Sequence, residues 1–215
     1  NQAVRNAADA QSLLMTAEGA LDEVHTILLR MRELSVQASN GTYTAQDRAA
    51  LAQEVSDLQS EINRIATDTT FNNIGVLSGA ASTGITFQIG ADETQTMAVS
   101  VPRITISAAG INISTAVQLS TAAGAKSYIT TLDNAISLIS TQRGTYAAAM
   151  NRLDHAISNM QNVATNLSMA KGRIEDADFA AETSNLARVQ VLQQASMAML
   201  AQANASKQNI LTLFQ

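Results

Sequence analysis

Apolar residues recur at alternating intervals of three and four over a long stretch in the second half of the chain. The stretch contains fourteen such positions: Ile129, Leu132, Ile136, Ile139, Arg143, Tyr146, Met150, Leu153, Ile157, Met160, Ala164, Leu167, Lys171 and Ile174. Only Arg143 and Lys171 are polar, and both have long stems that can lie along apolar surface. A mean spacing near 3.5 residues predicts one long helix, about 126–174, that packs lengthwise against others as in a coiled coil.

Two further helical patterns precede this helix. The first spans about residues 4–40 and is expected to end at Asn40-Gly41, because both residues tolerate the left-handed conformation of helix ends. The second spans about 44–67, with Thr44 as a candidate N-cap. A short connection joins the two, and it predicts an antiparallel helical hairpin.

The pattern then changes to strand-like alternation. Residues 71–81 are rich in Asn, Gly and Ser and indicate an irregular loop or a short strand. Apolar and polar residues alternate on both sides of a turn-forming segment, which predicts a β-hairpin at about 84–101 that Pro102 closes. Residues 103–123 fit either a second short hairpin or a loop with one helical turn, and the sequence leaves both open.

A last helix is predicted over residues 179–213. Outside its apolar positions, the surface of this helix is mostly uncharged Gln, Asn and Ser, which is unusual for a helix that lies in water. We therefore expect it to be buried among copies of itself or against a missing partner. The predicted subunit-packing residues are Leu186, Val189, Leu192, Met199, Ile210 and Leu213. The predicted fold class is mainly α: an elongated antiparallel helical bundle or coiled-coil rod with a small β-hairpin region.

Composition excludes several classes of function. The net charge of −5 and the pI of about 4.9 argue against nucleic acid as a partner. No run of 18 apolar residues occurs, so membrane insertion is not expected. The chain has no Cys, which excludes disulfides and thiolate catalysis. That absence fits a cytosolic protein and also an extracellular protein that is exported unfolded.

No motif for catalysis, a metal or a cofactor is found. His25 and His155 each lie in a predicted helix without a second His four residues away. The carboxylates between 175 and 182 lack the spacing of a calcium-binding loop. Glycine-rich phosphate-binding motifs and a nucleophile elbow are also absent. We therefore predict a non-enzymatic protein with no metal and no cofactor.

Several segments closely resemble conserved segments of bacterial flagellins. Near the N-terminus these are 29–40 (LRMRELSVQASN) and 70–73 (TFNN), and 87–91 (FQIGA) resembles the hairpin segment of the family. The strongest similarity is at the other end, in 151–153 (NRL), 173–182 (RIEDADFAAE), 193–195 (QQA), 200–204 (LAQAN) and 213–214 (LF). The resemblance covers nearly the whole chain and follows the order of the family.

The resemblance implies a structural subunit of the flagellar filament that polymerises into the propeller for motility. It implies export without a cleaved signal peptide, an extracellular location at the cell surface, and an export chaperone and a cap protein as partners besides other copies of the chain. It divides the chain into an outer rod domain, 1–175, and a C-terminal inner-core helix, 176–215. Relative to the family we expect an N-terminal truncation that removes the partner of this helix, and a minimal variable region at 103–123.

The family is also sensed by a vertebrate Toll-like receptor. The matching positions are Arg30, which would supply a charge-assisted fork, Leu34, an apolar anchor, and Glu54, a carboxylate on the facing helix. Two alternative functions stay open. One is a hook–filament junction protein, and the other is a cell-surface module that binds a ligand such as a polysaccharide on a flagellin scaffold.

Overall fold

The structure is a computed structural model of the chain. It describes residues 2–79, 84–90, 92–101, 103–106, 110–113, 118–175 and 178–213, with side chains up to residue 207 in the last range. The elements in chain order are α1 (Gln2–Ala38), α2 (Ala45–Asp68), β1 (Thr70–Phe71), β2 (Ile74–Gly75), β3 (Ile85–Gln88), β4 (Thr96–Val99), a short 3₁₀ helix (Gln118–Ser120), α3 (Ala122–Glu175) and α4 (Phe179–Leu213). The chain divides into two compact units, residues 1–164 and 165–215, and α3 contributes to both.

The predicted fold class, mainly α with long helices and a small β-hairpin region, is confirmed. The whole predicted seam from 129 to 174 lies within α3, which has 54 residues and is therefore about 80 Å long. Gly144 does not interrupt this helix. The predicted boundary between an outer rod and an inner-core helix at residue 175 stays a prediction.

In the first unit, α1 and α3 run antiparallel in a single register. Arg32 Nε lies 2.6 Å from Asp133 Oδ1, Arg143 Nη1 lies 2.9 Å from Asp22 Oδ1, and Gln11 Nε2 donates to Asp154 Oδ1 over 3.1 Å. The two residue numbers in each pair add up to 165. Because the residue numbers of all three pairs have the same sum, the two antiparallel helices keep the same alignment over this whole length.

The core of the first unit is built from the seams of these helices. We call the apolar residues that recur at alternating intervals of three and four along α1 the α1 seam, and all of these are fully buried: Leu14, Ala17, Leu21, Val24, Leu28 and Met31. From α3, Leu132, Ile139 and Tyr146 are also fully buried. Burial of large apolar side chains at each turn supplies the main favourable free energy that joins the helices.

The α1–α2 connection is fixed by hydrogen bonds at both helix ends. Thr44 caps α2 as predicted, since its Oγ1 accepts from the Asp47 amide and the Asp47 carboxylate accepts from the Thr44 amide. The hydrogen bond from the Thr44 hydroxyl holds the pKa of Asp47 below its usual value. At the end of α1, Arg48 Nε donates to the Ala38 carbonyl over 2.8 Å and Nη2 donates to the Asn40 carbonyl over 2.9 Å.

A tight two-stranded turn follows α2 where the sequence indicated a loop or short strand. β1 and β2 pair antiparallel, with Thr70 opposite Gly75 and Phe71 opposite Ile74. The two residues between them, Asn72 and Asn73, have φ values of 48° and 64°. Asn is the non-glycine residue that best tolerates this region, so consecutive Asn residues suit a two-residue hairpin turn.

The predicted hairpin at 84–101 is formed by β3 and β4. Ile85 lies opposite Val99 and Phe87 opposite Met97. Met97 and Val99 are buried while Thr96 and Ala98 are exposed, so the apolar face of β4 packs on the core. Pro102, which was expected to close this hairpin, lies outside the described residues.

The segment from 103 to 123 combines parts of both interpretations left open by the sequence. The amides of Ile111 and Ile113 donate to the carbonyls of Thr105 and Ile106 over 2.9 and 3.1 Å, a hairpin-like return without assigned strands among the residues that the structure describes. A single 3₁₀ turn then precedes α3. Ile104, Ile111 and Ile113 are buried, which explains why this small segment contains so many Ile residues.

Candidate functional site

The most exposed apolar surface of the chain is helix α4. Every described side chain from residue 179 to residue 207 is exposed. The exposed fraction is 58% for Leu186, 60% for Val189, 58% for Leu192 and 71% for Met199, the four described members of the predicted packing set. The side chains of Ile210 and Leu213 lie outside the described residues. We refer to the exposed apolar side chains of this helix as the α4 surface; they also include Val191, Met197 and Leu200.

The α4 surface has two faces. At about 100° per residue, Leu186 and Met197 project within roughly 20° of each other, and so do Leu192 and Met199. The two pairs are separated by roughly 140° around the helix axis, and Val189 and Leu200 lie between them, so the two faces are the two edges of one broad apolar arc. One neighbouring helix cannot cover both faces. A helix that is apolar on more than one side is stable only among several neighbours.

The end of α3 that belongs to the second unit is also exposed. Leu167, Met169 and Ile174 are 65%, 51% and 85% exposed, although two of them belong to the long seam. Lys171 pairs with Glu175 one turn away, a contact of 3.4 Å between exposed groups that contributes little to stability.

At the start of α4, one of the carboxylates between residues 175 and 182 caps the helix. The Asp178 carboxylate accepts from the amides of Ala180 and Ala181 over 3.0 and 3.3 Å, so Asp178 is the N-cap of the helix.

Within the described ranges, no three His, Cys, Asp or Glu side chains lie close enough together to hold a metal ion. In the same part of the chain, no helix is both long and apolar enough to cross a membrane.

Two of the three predicted receptor-contacting residues lie together. Arg30 Nη2 of α1 lies 2.8 Å from Glu54 Oε1 of α2, and Arg30 Nη1 lies 3.3 Å from Glu33 Oε2. The side chains of Arg30 and Glu54 are 52% and 45% exposed. The hydrogen bond to Glu54 raises the pKa of Arg30 above its already high usual value. The pair therefore forms a charged, accessible contact across two helices.

The third residue, Leu34, is placed differently from expectation. Its side chain is 1% exposed and belongs to the core. An apolar anchor for a partner needs accessible surface, so Leu34 is not part of the exposed group that contains Arg30 and Glu54. The signal was present in the sequence, because Leu34 continues the α1 seam three residues after Met31.

A charged cluster between α1 and α3 was not predicted from the sequence. Arg143 Nη2 lies 2.7 Å from Glu18 Oε1, and its Nη1 contacts Asp22. The hydrogen bond to the Glu18 carboxylate raises the pKa of Arg143, and the charge of Asp22 adds a smaller effect in the same direction. The position of Arg143 within an apolar seam was visible in the sequence, and such a position requires a buried stem with a charged partner at its tip.

Comparisons with known proteins identify the family of this chain. Residues 1–82 match the bacterial flagellin N-terminal helical region, and residues 129–214 match the bacterial flagellin C-terminal helical region. A flagellin of Halalkalibacterium halodurans is 41% identical over 215 residues, which are 100% of this chain and 78% of that protein.

Solved structures give the same assignment for the fold. The crystal structure of Bacillus cereus flagellin is similar with a TM-score of 0.63 at 37% identity, over 78% of this chain and 94% of that one. A putative flagellar hook-associated protein from Vibrio parahaemolyticus gives a TM-score of 0.66 over 80% of this chain and 89% of its own. At 14% identity, the second similarity concerns the fold alone. With family matches at both ends and high identity along its whole length, the chain belongs to the bacterial flagellins, the structural subunits of the flagellar filament.

Proposed function

We propose that this flagellin polymerises through the α4 surface, which packs against α-helices of neighbouring copies of the same subunit. The observation that carries the proposal is the complete exposure of the described part of α4 together with its two apolar faces. Two faces require two neighbours, and a helical polymer of identical subunits supplies them by repetition. Assembly would thus bury the apolar side chains of α4 that stay exposed to water in the single folded chain.

The energetic scale supports polymerisation. Burial of one Leu, Val or Met side chain stabilises by roughly 1.5–3 kcal/mol. The four described packing residues, Leu186, Val189, Leu192 and Met199, would together contribute on the order of 6–12 kcal/mol before the entropic cost of association. This contribution is of the same order as the entropic cost of association, and further apolar contacts, such as those of the exposed end of α3, would add to it.

In this proposal the subunit acts outside the cell, at the cell surface. It would travel through the flagellar export channel unfolded, with an export chaperone before secretion and a cap protein at the growing tip. Family membership supports these partners. The absence of Cys in all 215 residues fits this route, because an unfolded chain in transit cannot form wrong disulfides without thiols.

Electron microscopy of the full-length subunit, alone and with Leu192→Asp, tests the proposal. We expect helical filaments from the unsubstituted subunit and none from Leu192→Asp, because a charge on the α4 surface would have to be buried unpaired. Leu138→Asp is the matched control, since Leu138 is 49% exposed in the first unit, and it should still polymerise. Persistent monomers of the unsubstituted subunit, with ligand-dependent thermal shifts, would instead favour a surface binding module.

We also propose that the Arg30–Glu54 pair is recognised by the flagellin-sensing Toll-like receptor. The support is geometric: the guanidinium and the carboxylate lie on neighbouring helices, 2.8 Å apart, and both are about half exposed. A receptor can contact such a pair with complementary charges while the pair keeps its own orientation. Leu34 is left out because it is buried.

Binding of the subunit to the receptor ectodomain tests this second function. Arg30→Ala and Glu54→Ala should each weaken binding, while the folded subunit is retained. Glu61→Ala and Arg64→Ala are matched controls, because these residues form an exposed ion pair of 2.6 Å on α2. Equal affinity of all four variants and the unsubstituted subunit would remove the proposal.

A further inference from the structure

We propose that Met197 and Met199 are an oxidation site that controls assembly: their conversion to methionine sulfoxide turns polymerisation off. The inference rests on the proposed role of the α4 surface in polymerisation. The two side chains are 68% and 71% exposed, and they lie on the two different faces of α4. Oxidation of this one short segment therefore alters both faces at once.

The chemistry depends on access to the thioether sulfur. A sulfur lone pair attacks one oxygen of hydrogen peroxide, the S–O bond forms and the O–O bond breaks, and water is released after proton transfer. The thioether loses two electrons and the peroxide gains them. The product is polar where the reactant was a flexible apolar side chain, and reductases reverse the change.

The chain itself contains protected methionines for comparison. Met31 is fully buried in the α1 seam, and Met97 is 5% exposed on the inner face of β4. Neither sulfur is accessible to peroxide while the first unit is folded. Exposure therefore separates Met197 and Met199, together with the half-exposed Met15 and Met169 outside α4, from Met31 and Met97 in the core.

The effect on assembly follows from burial. An unoxidised Met on the α4 surface gains stability when a neighbouring helix covers it. A sulfoxide oxygen buried in the same contact loses its hydrogen bonds to water, which opposes association. Free subunits would be sensitive and assembled subunits protected, so an oxidant would act on export and growth rather than on existing filament.

The first experiment measures oxidation of the full-length subunit by hydrogen peroxide, using peptide mass spectrometry over time. In the free subunit we expect Met197 and Met199 to be converted on the order of tenfold faster than Met31 and Met97. In assembled filaments the rates at 197 and 199 should fall to those of the buried residues. Equal rates in the free subunit, or no protection in filaments, would overturn the proposal.

The second experiment measures polymerisation after oxidation. Each sulfoxide should raise the critical concentration on the order of tenfold, and treatment with methionine sulfoxide reductase should restore assembly. Met197→Leu combined with Met199→Leu conserves volume and apolarity, so this variant should polymerise before and after peroxide. Met15→Leu is the matched control at a 53% exposed position of α1, and it should stay sensitive.

The outcomes separate this inference from the function on which it rests. If the untreated subunit does not polymerise, the proposed role of the α4 surface fails, and this inference fails with it. If the untreated subunit polymerises and the oxidised one does so equally well, only the oxidation switch is wrong. If the double Leu variant still loses assembly after peroxide, another methionine is responsible and the assignment to Met197 and Met199 is wrong.

Discussion

The side-chain amide of Gln59 on α2 donates a hydrogen bond of 2.7 Å to the hydroxyl oxygen of Tyr128 on α3. The same amide nitrogen donates to the Ile113 carbonyl, also over 2.7 Å. Gln59 is 8% exposed and Tyr128 2%, so the contact joins two helices and an irregular segment inside the first unit. A buried amide with both of its N–H groups satisfied fixes how these three parts meet.

Removal of the Tyr128 hydroxyl should destabilise the protein. Tyr128→Phe leaves one N–H of the buried Gln59 amide without an acceptor, at a cost of about 1–3 kcal/mol. Tyr146→Phe is the matched control: its buried hydroxyl lies near the Gln142 side chain without a well-formed hydrogen bond, so this variant should lose less stability than Tyr128→Phe. Urea unfolding of both variants measures the difference. Equal loss of stability in the two would contradict the role assigned to Gln59.

The same two tyrosines predict loss of stability at high pH. Burial raises the pKa of Tyr128 and that of Tyr146 to about 12. In the unfolded chain the hydroxyls titrate near 10, so above that pH the unfolded state releases protons that the folded state retains. The stabilisation is fully present below about pH 10 and is lost as pH rises to about 12, by about 3 kcal/mol for each tyrosine.

Unfolding free energy measured between pH 9 and 12 checks this sign. The subunit with both Tyr128→Phe and Tyr146→Phe should show a clearly smaller decrease over that range, because neither position can ionise. A decrease of the same size in this variant would assign the alkaline sensitivity to other groups.

A glycine inside α3 offers a stabilising substitution. Gly144 lies in the interior of the helix, and a Cβ at this position would meet nothing within 4 Å. Gly144→Ala should therefore stabilise the protein by roughly 0.5–1 kcal/mol. Gly110→Ala is the opposite case, because its Cβ would collide with the backbone carbonyl oxygen of Thr105. Thermal unfolding should show a higher midpoint for the first variant and a lower one for the second.

Arg143 should stabilise the α1–α3 pair. Arg143→Ala removes its contacts with Glu18 and Asp22 and leaves two neighbouring carboxylates unneutralised. About one third of the Arg143 and Glu18 side chains is exposed, so we expect a loss of about 1 kcal/mol, smaller at high salt. Arg152→Ala, an exposed change on the same helix, is the control and should have little effect. A double-mutant cycle with Glu18→Ala isolates the pair.

Local features of this fold are visible in the sequence because they depend on nearby residues. The extent of α3 follows from a seam that no Pro interrupts, and Thr44 with Asp47 marks the start of α2. The alternation in β3 and β4 predicts their hairpin. Leu34 could have been predicted as a core residue, because it lies three residues after Met31 and continues the spacing of the α1 seam. These signals act over a few residues and need no knowledge of what lies across the helix.

Contacts between side chains of different helices cannot be predicted in the same way, because they depend on the register of the helices. Two seams with the same 3.5-residue spacing remain in contact when one helix slides by seven residues, so periodicity alone does not select a register. The alignment that brings Arg32 to Asp133 and Arg143 to Asp22 is decided only when α1 and α3 pack together with the hairpins and α2. For that reason the ion pairs and the Gln59–Tyr128 contact were not predicted.

The residue pattern was enough to predict the helical segments of this protein, the apolar face of each, and the excess of apolar surface on α4. Which of those faces are covered within the chain and which stay exposed became clear from the packed helices and not from the pattern. The physical reason is that local hydrogen bonds and periodicity set a helix, whereas burial depends on what the rest of the chain brings against it. Leu34 has such a contact inside the first unit, whereas Leu192 and Met199 stay exposed.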